Sequence, residues 1–298
     1  MKTVVGLGEV LWDILDNEQH LGGAPANFAY ITRLMGDEGI IASRVGADAL
    51  GESAKDRLQA LGLSTDFIQI DGVHPTGSVR VKLDGKGCAR FEILAPVAWD
   101  FLEWTPEWQK LAETADAVCF GSLAQRTQQS RDVILRFLRA LRPKAVRIFD
   151  VNLRPPFYSQ GILVESMKLA DIVKLNHEEL PHIMSMGGHV HRDERTSAQS
   201  LITLYGLKLV CVTRGSRGSL LVSQSGSHEQ PAFEIKVADT VGAGDAFTAA
   251  LVHEYLRGGS LDAMNGSANL VGAWVASEVG ATPTPKNGAL KQSLREIG

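Results

Sequence analysis

The chain has 298 residues, 44% of them apolar and 21% charged, so it can bury a sizeable core and has an ordinary globular composition. Its 30 lysines and arginines against 34 aspartates and glutamates give a net charge of −4, which argues against nucleic-acid or anionic-membrane binding and favours small-molecule chemistry. Cys88, Cys119 and Cys211 lie far apart without a Cys-x-x-Cys spacing, which argues against a disulfide framework or a zinc site. Cys119 and Cys211 lie in apolar runs, so we expect both to be buried and reduced. The N-terminus opens on a strand and no apolar run approaches about 18 residues, so we expect a cytoplasmic protein.

Strand-like and helix-like runs alternate along most of the chain, which predicts a mostly parallel sheet covered by helices on both faces. The first strand, residues 3–8, ends at Glu9 and leads to Asp13. Side chains that follow a parallel strand lie over the ligand crevice of an open sheet, so Asp13 is a candidate ligand-binding residue. Taken alone, an aspartate at this position is better explained by a surface turn.

The next stretch, Gly-Gly-Ala-Pro-Ala-Asn at 22–27, predicts a loop that runs into a helix ending near Gly36. The glycine pair Gly22 and Gly23 lets the backbone approach a ligand closely, and a proline suits the first helical turn. Asn27 would lie in that turn, where its amide can donate and accept hydrogen bonds, as a sugar hydroxyl requires.

Residues 40–45, 50–61 and 67–70 are predicted as strand, helix and strand. The character then changes, because 78–83 and 89–94 alternate apolar and polar residues around the glycine-rich turn at 84–87. This pattern predicts a hairpin with one solvated face, and therefore a small antiparallel sheet standing off the main one.

The alternation resumes with strands at 117–121 and 146–150 around a helix at 130–141. The stretch from Asp150 to Pro156 places polar groups at the end of a strand, and its two prolines stop a helix from starting there. Arg154 in this loop is either a ligand-binding residue or a member of a structural ion pair.

A strand at 172–175 is followed by Asn176-His177-Glu178-Glu179. Mg²⁺ keeps several waters and needs only one or two protein carboxylates, so Glu179 alone would be adequate. An asparagine N-cap with a glutamate in the first turn explains the same spacing, and without the rest of the chain it is the better interpretation.

Residues 182–200 are polar and contain His182, His189 and His191, which favours a solvated segment leading into a helix at 197–205 over a metal site. Residues 177–182 are one residue too long for His-Glu-x-x-His, and Pro181 is expected to break the helix which that motif needs. Residues 209–219 predict a strand, a glycine turn and a second strand. The last predicted helix, 261–279, contains Asn269.

The most specific stretch is Asp-Thr-Val-Gly-Ala-Gly-Asp-Ala-Phe at 239–247, before a helix predicted at 246–256. Glycines at such a junction leave backbone N–H groups open to an anion at the positive end of the helix dipole. Asp245 would repel a phosphate unless it takes a proton from a group that attacks that phosphate, which indicates phosphoryl transfer. As a four-residue pattern, a tight turn with an aspartate cap is equally good.

In this order, these stretches resemble the ribokinase-like (PfkB-type) carbohydrate kinases over nearly the whole chain. Gly-Gly-Ala-Pro-Ala-Asn and Asn-Leu-Arg-Pro-Pro at 152–156 resemble the fructokinase branch. The resemblance implies one domain, residues 1–298, with a three-layer α/β fold and a mostly parallel central sheet. It also implies a small antiparallel β lid over the sugar, formed by about residues 12–22 and 76–97, which pairs in many members to make a homodimer.

The resemblance also implies roles for individual residues. Asp245 would be the catalytic base beside an anion hole formed by Gly242, Ala243 and Gly244. Sugar contacts would come from Asp13, Gly22, Gly23, Asn27 and Arg154, and nucleotide contacts from Asn176, Thr213, Gly215, Gly218 and Asn269. Glu179 would hold Mg²⁺ through water, and Asp239 would help to bind a monovalent cation such as K⁺.

We therefore expect ATP-dependent phosphorylation of a primary sugar hydroxyl, with fructose giving fructose 6-phosphate as the favoured reaction. Another acceptor (2-keto-3-deoxygluconate, ribose or a nucleoside) stays open, as does a non-catalytic sugar-binding regulator on the same fold. A nicotinamide oxidoreductase is disfavoured, because Gly6-Leu7-Gly8 lacks the third glycine of a dinucleotide fingerprint.

Overall fold

The computed structural model describes residues 1–15, 18–83, 89–286, 290–295 and 297. In chain order its strands, β1 to β13, are Thr3–Leu7, Leu11–Leu15, Glu18–Gly22, Glu38–Gly46, Ile68–Asp71, Gly77–Leu83, Ala89–Ile93, Ala117–Gly121, Val146–Asp150, Ile172–Asn176, Leu209–Thr213, Ser219–Ser223 and Gly226–Gln230. Its helices, α1 to α10, are Ala24–Leu34, Ala49–Ala60, Pro106–Thr114, Gln128–Ala140, Gln160–Leu169, Glu179–Met186, Glu194–Tyr205, Ala243–Tyr255, Leu261–Ala276 and Leu290–Leu294. Short 3₁₀ turns occupy Ala98–Phe101, Leu123–Gln125 and Gly215–Arg217.

The large sheet has nine strands in the order β13-β12-β11-β10-β9-β8-β1-β4-β5. The strands from β11 to β5 in that order are parallel, and β12 and β13 add an antiparallel edge. The chain runs outward from β1 through β4 to β5 and then returns to the other side of β1 with β8. The strand order therefore reverses between β1 and β8, and ligands of open α/β sheets bind outside the carboxyl ends of the strands at such a point.

Two apolar layers sandwich this sheet, because successive side chains of a strand point to opposite faces. In β1, Val5 and Leu7 pack with α3 to α7, whereas Val4 packs with α1, α2 and α8 to α10. The expected three-layer α/β architecture is confirmed. Cys119 and Cys211 are buried free thiols, as expected, while Cys88 lies outside the described residues. No helix in the described part of the chain is long and apolar enough to cross a membrane.

Most of the longer helices begin at a residue whose side chain accepts a hydrogen bond from a first-turn N–H, which is the usual way to satisfy these donors. These N-cap residues are Asp48, Thr105, Thr127, Ser159, Asp193 and Ser260. Helices α1 and α8 begin instead at Gly23 and Gly242, which have no side chain to serve as a cap. Both helices start at the crevice. In α1, Pro25 has no N–H and the N–H groups of Ala26 and Asn27 donate to the carbonyl of Gly23, so the open N–H groups are those of α8.

A separate four-stranded sheet has the order β3-β2-β6-β7. The predicted hairpin strands correspond to β6 and β7, and the turn at 84–87 lies outside the described residues. The sheet is mixed rather than purely antiparallel, because β2 and β6 pair in parallel. Its base is held by Arg126, whose guanidinium donates to the carbonyl of Leu94 and to both carboxylate oxygens of Asp100.

Several predicted boundaries were wrong. Helix α8 begins at Ala243 rather than 246, so Gly244 and Asp245 lie in its first turn. Helix α6 runs through part of the segment predicted as solvated, and Pro181 does not break it, because a proline in the first turn replaces an N–H that has no partner within the helix. Helices α3 and α5 were not predicted, and the long last helix ends at Ala276 rather than 279.

Candidate active site

The first turn of α8 is open to the crevice because Gly242 and Gly244 carry no side chains that would cover it, and neighbouring atoms lie too close for a side chain at either position. Gly242 has a φ of 76°, and a Cβ on it would lie 2.7 Å from Cα of Ala281. A Cβ on Gly244 would lie 3.0 Å from Nζ of Lys174, so the ammonium group occupies the space beside this turn. The open N–H groups and the buried cation together favour an anion at this end of α8.

Asp245 projects from the same turn and meets α1. Its Oδ2 accepts a hydrogen bond of 2.8 Å from Nδ2 of Asn27, which lies in the first turn of α1 as predicted. Burial and the nearby carboxylate of Asp150 together raise the pKa of Asp245 to about 7, against the opposing effects of Asn27, Lys174 and Arg154. A carboxyl with a pKa near neutrality can accept a proton at physiological pH, which is what general-base chemistry needs.

Lys174 and Asp150 form a buried ion pair beneath this turn, since they are register neighbours on β10 and β9. Nζ of Lys174 lies 3.1 Å from both oxygens of Asp150, and Oγ1 of Thr248 lies 3.3 Å from one of them. Burial lowers the pKa of Lys174, but Asp150, Asp245 and Glu179 outweigh it, so the net shift is upward. The group is therefore a fixed positive charge under the anion-binding turn.

Glu9 adds another carboxyl at the end of β1. It is 5% exposed and lines a small pocket with Asp150 and Asp245. Burial raises the pKa of Glu9 to about 7; Asp245 contributes to the rise, while the N–H groups of Glu9 and Ala24 and the charge of Arg154 oppose it. Its backbone packs against α1, because a Cβ on Gly23 would lie 2.5 Å from the carbonyl oxygen of Glu9.

The other residues predicted to contact sugar lie around this pocket. Asp13 is half-buried on β2, and a side chain on Gly22 of β3 would collide with its carboxylate. Burial raises the pKa of Asp13 against the opposing charges of His20 and Arg154. Arg154 is exposed at the rim and donates to its neighbour's carbonyl, so its guanidinium can reach an anionic group that enters the crevice.

Glu179 and Asn176 form the reciprocal cap that was the alternative interpretation of their spacing. Oδ1 of Asn176 accepts from the N–H of Glu179 at 2.8 Å, and Oε2 of Glu179 accepts from the N–H of Asn176 at 2.8 Å. The other oxygen of Glu179 accepts from the N–H of Leu153. Each oxygen keeps a second lone pair that could bind water.

The described residues contain no group of three or more His, Cys, Asp or Glu side chains that could hold a metal ion. Mg²⁺ held mainly by waters and substrate phosphates does not require such a group, so a single nearby carboxylate such as Glu179 fits it. Asp239 joins two loops, since its carboxylate accepts from the N–H groups of Val241 and Gly280.

Three residues predicted to contact nucleotide lie between the end of β11 and the start of β12, while Asn176 ends β10 and Asn269 lies in α9. Thr213 ends β11, Gly215 and Gly218 have φ values of 58° and 83°, and Ser219 begins β12. Nδ2 of Asn269 donates to Oγ of Ser219 at 2.6 Å. The structure thus brings the glycine turn and Asn269 together, but the amide nitrogen of Asn269 is already used inside the protein.

Sequence reasoning gave no role to Glu9, Lys174 or Thr248. A usable signal was present for two of them, because Glu9 and Lys174 are charged residues within or at the end of otherwise apolar strands. Buried strands carry charge rarely unless it is paired or functional. The sequence could not show which residues lie beside Glu9 and Lys174, because the order of strands in the sheet decides which strand ends are neighbours.

The chain is similar to known proteins over most of its length. The model of the pfkB family carbohydrate kinases matches residues 7–287. A Pyrococcus horikoshii protein described as an uncharacterized sugar kinase is 30% identical, with 96% of this chain and 94% of that protein covered. Its structure in complex with ATP superposes with a TM-score of 0.82 over 99% of this chain and all of that chain.

Two fructokinases are also similar. That of Salmonella typhimurium is 32% identical, with 83% of this chain and 82% of that protein covered. The structure of Vibrio cholerae fructokinase with fructose, ADP and calcium ion bound is 25% identical and has a TM-score of 0.81, covering 99% of this chain and 97% of that one. Since the family model and these relatives span most of its length, this chain belongs to the pfkB family of carbohydrate kinases.

Proposed function

We propose that this protein is an ATP-dependent sugar kinase that transfers the γ-phosphoryl group to a primary hydroxyl, with fructose as acceptor and fructose 6-phosphate as product. The observation that carries the proposal is Asp245, a buried carboxyl with a pKa of about 7, placed in the open first turn of α8 and hydrogen-bonded to Asn27. Fructose is favoured because relatives that match most of this chain are fructokinases, one of them with fructose bound.

In the proposed reaction Asp245 accepts the proton of the sugar hydroxyl as that oxygen attacks phosphorus, a contribution of about 10²–10⁴-fold. Asn27 holds the carboxylate in position through its Oδ2. The N–H groups of Gly242 and Gly244 stabilise the charge that develops on the transferred group, and each good donor of this kind is worth about 3 kcal/mol. The N–H of Ala243, the middle residue of the predicted anion hole, donates instead to the carbonyl of Thr240. Lys174 adds positive charge beneath them.

The remaining predicted sites have supporting roles in this proposal. Mg²⁺ bound with ATP would neutralise the phosphate oxygens, and Glu179 would contact it through water. Asp239, between the anion-binding turn and Gly280, would stabilise a K⁺ site. ATP would lie along Asn176, Thr213, Gly215, Gly218 and Asn269. Use of ATP fits the cytoplasmic setting predicted from the sequence.

We also propose that the small sheet, β3-β2-β6-β7, is a lid. Asp13 and Gly22 belong to it, so its position decides whether they face the sugar, and closure would keep water from competing as acceptor. Its outer strands, β3 and β7, would supply the surface for a homodimer, which sedimentation at micromolar protein with and without sugar would test.

The test is coupled ADP release with Mg-ATP and a panel of fructose, 2-keto-3-deoxygluconate, ribose and nucleosides. We expect release with fructose, and a loss of at least about 10²-fold in kcat for Asp245→Asn. The variant should melt no lower than the wild type and keep the sugar affinity, because its amide still fits beside Asn27. ADP release with a different acceptor would change the proposed substrate and leave the kinase reaction unchanged. Sugar binding without any release would indicate the regulator instead.

A further inference from the structure

Two buried oxygens beside Asp245 have no hydrogen-bond partner among the described residues. They are Oε2 of Glu9 and Oδ1 of Asn27, in residues that are 5% and 4% exposed. Buried polar atoms are nearly always paired, and an unpaired one costs about 1–3 kcal/mol. Two such atoms in one place therefore indicate a ligand that supplies hydrogen-bond donors.

Both residues neighbour the same carboxyl, that of Asp245. Nδ2 of Asn27 holds Asp245, which leaves its Oδ1 as the other end of the same amide. The carboxyl of Glu9 lines the pocket that Asp245 also lines, and its backbone contacts Gly23 at the start of α1. The two acceptors therefore flank the carboxyl that we propose as the base.

The charge of this region decides what kind of donor fits. Glu9, Asp13, Asp150 and Asp245 are all carboxyls, and Lys174 is the buried cation that is already paired with Asp150. A phosphate or carboxylate would be repelled at the Glu9 end, whereas the hydroxyl groups of a neutral polyol would donate hydrogen bonds to Glu9 and Asn27.

We propose that Glu9 is a further sugar-binding residue, whose Oε2 accepts a hydrogen bond from a hydroxyl next to the one that Asp245 deprotonates. This inference rests on the proposed kinase function. It makes Glu9 a specificity-determining residue, because a sugar that lacks this neighbouring hydroxyl leaves Oε2 of Glu9 without a hydrogen-bond donor. An unpaired buried acceptor lowers the catalytic efficiency for the wrong sugar more than a missing methylene group does.

The raised pKa of Glu9 agrees with this role. A carboxyl with a pKa of about 7 is partly protonated at neutral pH. Glu9 can therefore accept a hydrogen bond from a sugar hydroxyl when ionised and donate one to the hydroxyl oxygen when protonated. A purely structural carboxylate would be expected to have both oxygens paired, as Asp100 does with Arg126 and the N–H of Val97.

The experiment compares Glu9→Ala and Glu9→Gln with the wild type and with the control Glu52→Gln, an exposed glutamate in the first turn of α2. Steady-state kinetics give KM for sugar and for ATP, and calorimetry without ATP gives the sugar Kd. We expect Glu9→Ala to raise KM and Kd for the sugar by about 10–100-fold while KM for ATP stays unchanged. Glu9→Gln, which keeps an acceptor oxygen, should show a smaller rise, and Glu52→Gln none.

Monodeoxy analogues of the accepted sugar identify the hydroxyl. The wild type should discriminate strongly against one of them, and Glu9→Ala should lose that discrimination. The melting temperature of Glu9→Gln should equal or exceed that of the wild type at neutral pH, because burial disfavours the charged carboxylate that this variant removes.

The outcomes separate this inference from the proposed function. Active variants with unchanged sugar KM and Kd would overturn the role of Glu9 and leave the kinase assignment intact. A lower melting temperature with parallel rises in both KM values would make Glu9 structural and overturn the inference as well. If the wild type binds sugar but releases no ADP, the kinase proposal fails, and the Kd values alone decide the role of Glu9. A wild type that neither binds nor phosphorylates any sugar would overturn both.

Discussion

Two clusters of buried charge in this protein differ in their balance. At the base of the small sheet, Arg126 meets Asp100 through two bonds of 2.7 Å, and its guanidinium stacks 3.9 Å from the ring centre of Trp99. Nη1 of Arg126 is the nitrogen of this group that has no partner among the described residues. One cation faces one carboxylate, so the cluster is close to neutral.

At the crevice the balance is different. The carboxylates of Asp150, Asp245 and Glu179 act on one buried cation, Lys174. Glu9 adds a further carboxyl near Asp245, and the pKa values of Glu9 and Asp245 rise to about 7. An excess of carboxyls destabilises the folded protein, whereas a matched pair anchors it. The difference teaches that a buried ion pair marks structure where charge is balanced and marks chemistry where it is not.

The largest expected effect in stability is at the balanced cluster. Arg126→Met leaves Asp100 buried without a counter-charge, which we expect to cost about 3–5 kcal/mol in the free energy of unfolding. Urea denaturation followed by fluorescence measures it. The double variant Arg126→Met with Asp100→Leu should recover part of the loss, and no recovery would show that the stacking on Trp99, rather than charge balance, holds this region.

The unbalanced cluster should reveal itself in the pH dependence of the proposed reaction. If Asp245 must be deprotonated, kcat/KM should fall about tenfold per pH unit below pH 7 and level off above it, because this profile reports groups of the free enzyme. A flat profile between pH 5 and about 8 would contradict Asp245 as the titrating base.

The free energy of unfolding should fall as pH rises, whereas kcat/KM rises with pH. Asp245 has a raised pKa in the folded protein, so the folded state binds its proton more tightly, and stability is lost as pH rises from about 4 to about 7. Melting temperatures of the wild type and Asp245→Asn should therefore diverge in favour of the variant as pH rises. Equal slopes for the two proteins would contradict the raised pKa.

The smallest expected effect is a shift of the pH profile of kcat/KM, which should occur on removal of Lys174 but not of Arg126. Lys174 lowers the pKa of Asp245, so Lys174→Met should move the acidic limb of kcat/KM to higher pH by about one unit or more. Arg126→Met is the matched control, because it also removes a buried cation but should leave the limb in place. A limb that does not move in Lys174→Met would mean that this lysine is only structural.

Much of the fold followed from local patterns. The alternation of strands and helices, the hairpin strands and the open glycine start of α8 are encoded in short stretches, and the structure confirms them. Where the prediction was wrong, a local rule was applied too strictly. Pro181 lies in the first turn of α6, where a proline is tolerated. The polar, histidine-rich composition that follows was interpreted as a solvated segment, although α6 continues into it.

The candidate site was less accessible from sequence. Asp245 and Asn27 could be named because each lies in a recognisable glycine-rich motif. Glu9 and Lys174 could not be given a role, because their significance comes from neighbours on other strands: Lys174 matters because β9 lies beside β10, and Glu9 matters because α1 begins over the end of β1. Only the strand order supplies that information.

The contact between Asn27 and Asp245 has a consequence for how the protein is made. The two residues are 218 positions apart, and α1 packs against α8 through apolar side chains such as Phe28 and Phe247. A chain that emerges from the ribosome with its N-terminus first must therefore carry the uncovered apolar side of α1 until α8 has been synthesised. The crevice is completed only after α8 has been made, and until then the uncovered apolar side of α1 favours aggregation or chaperone binding.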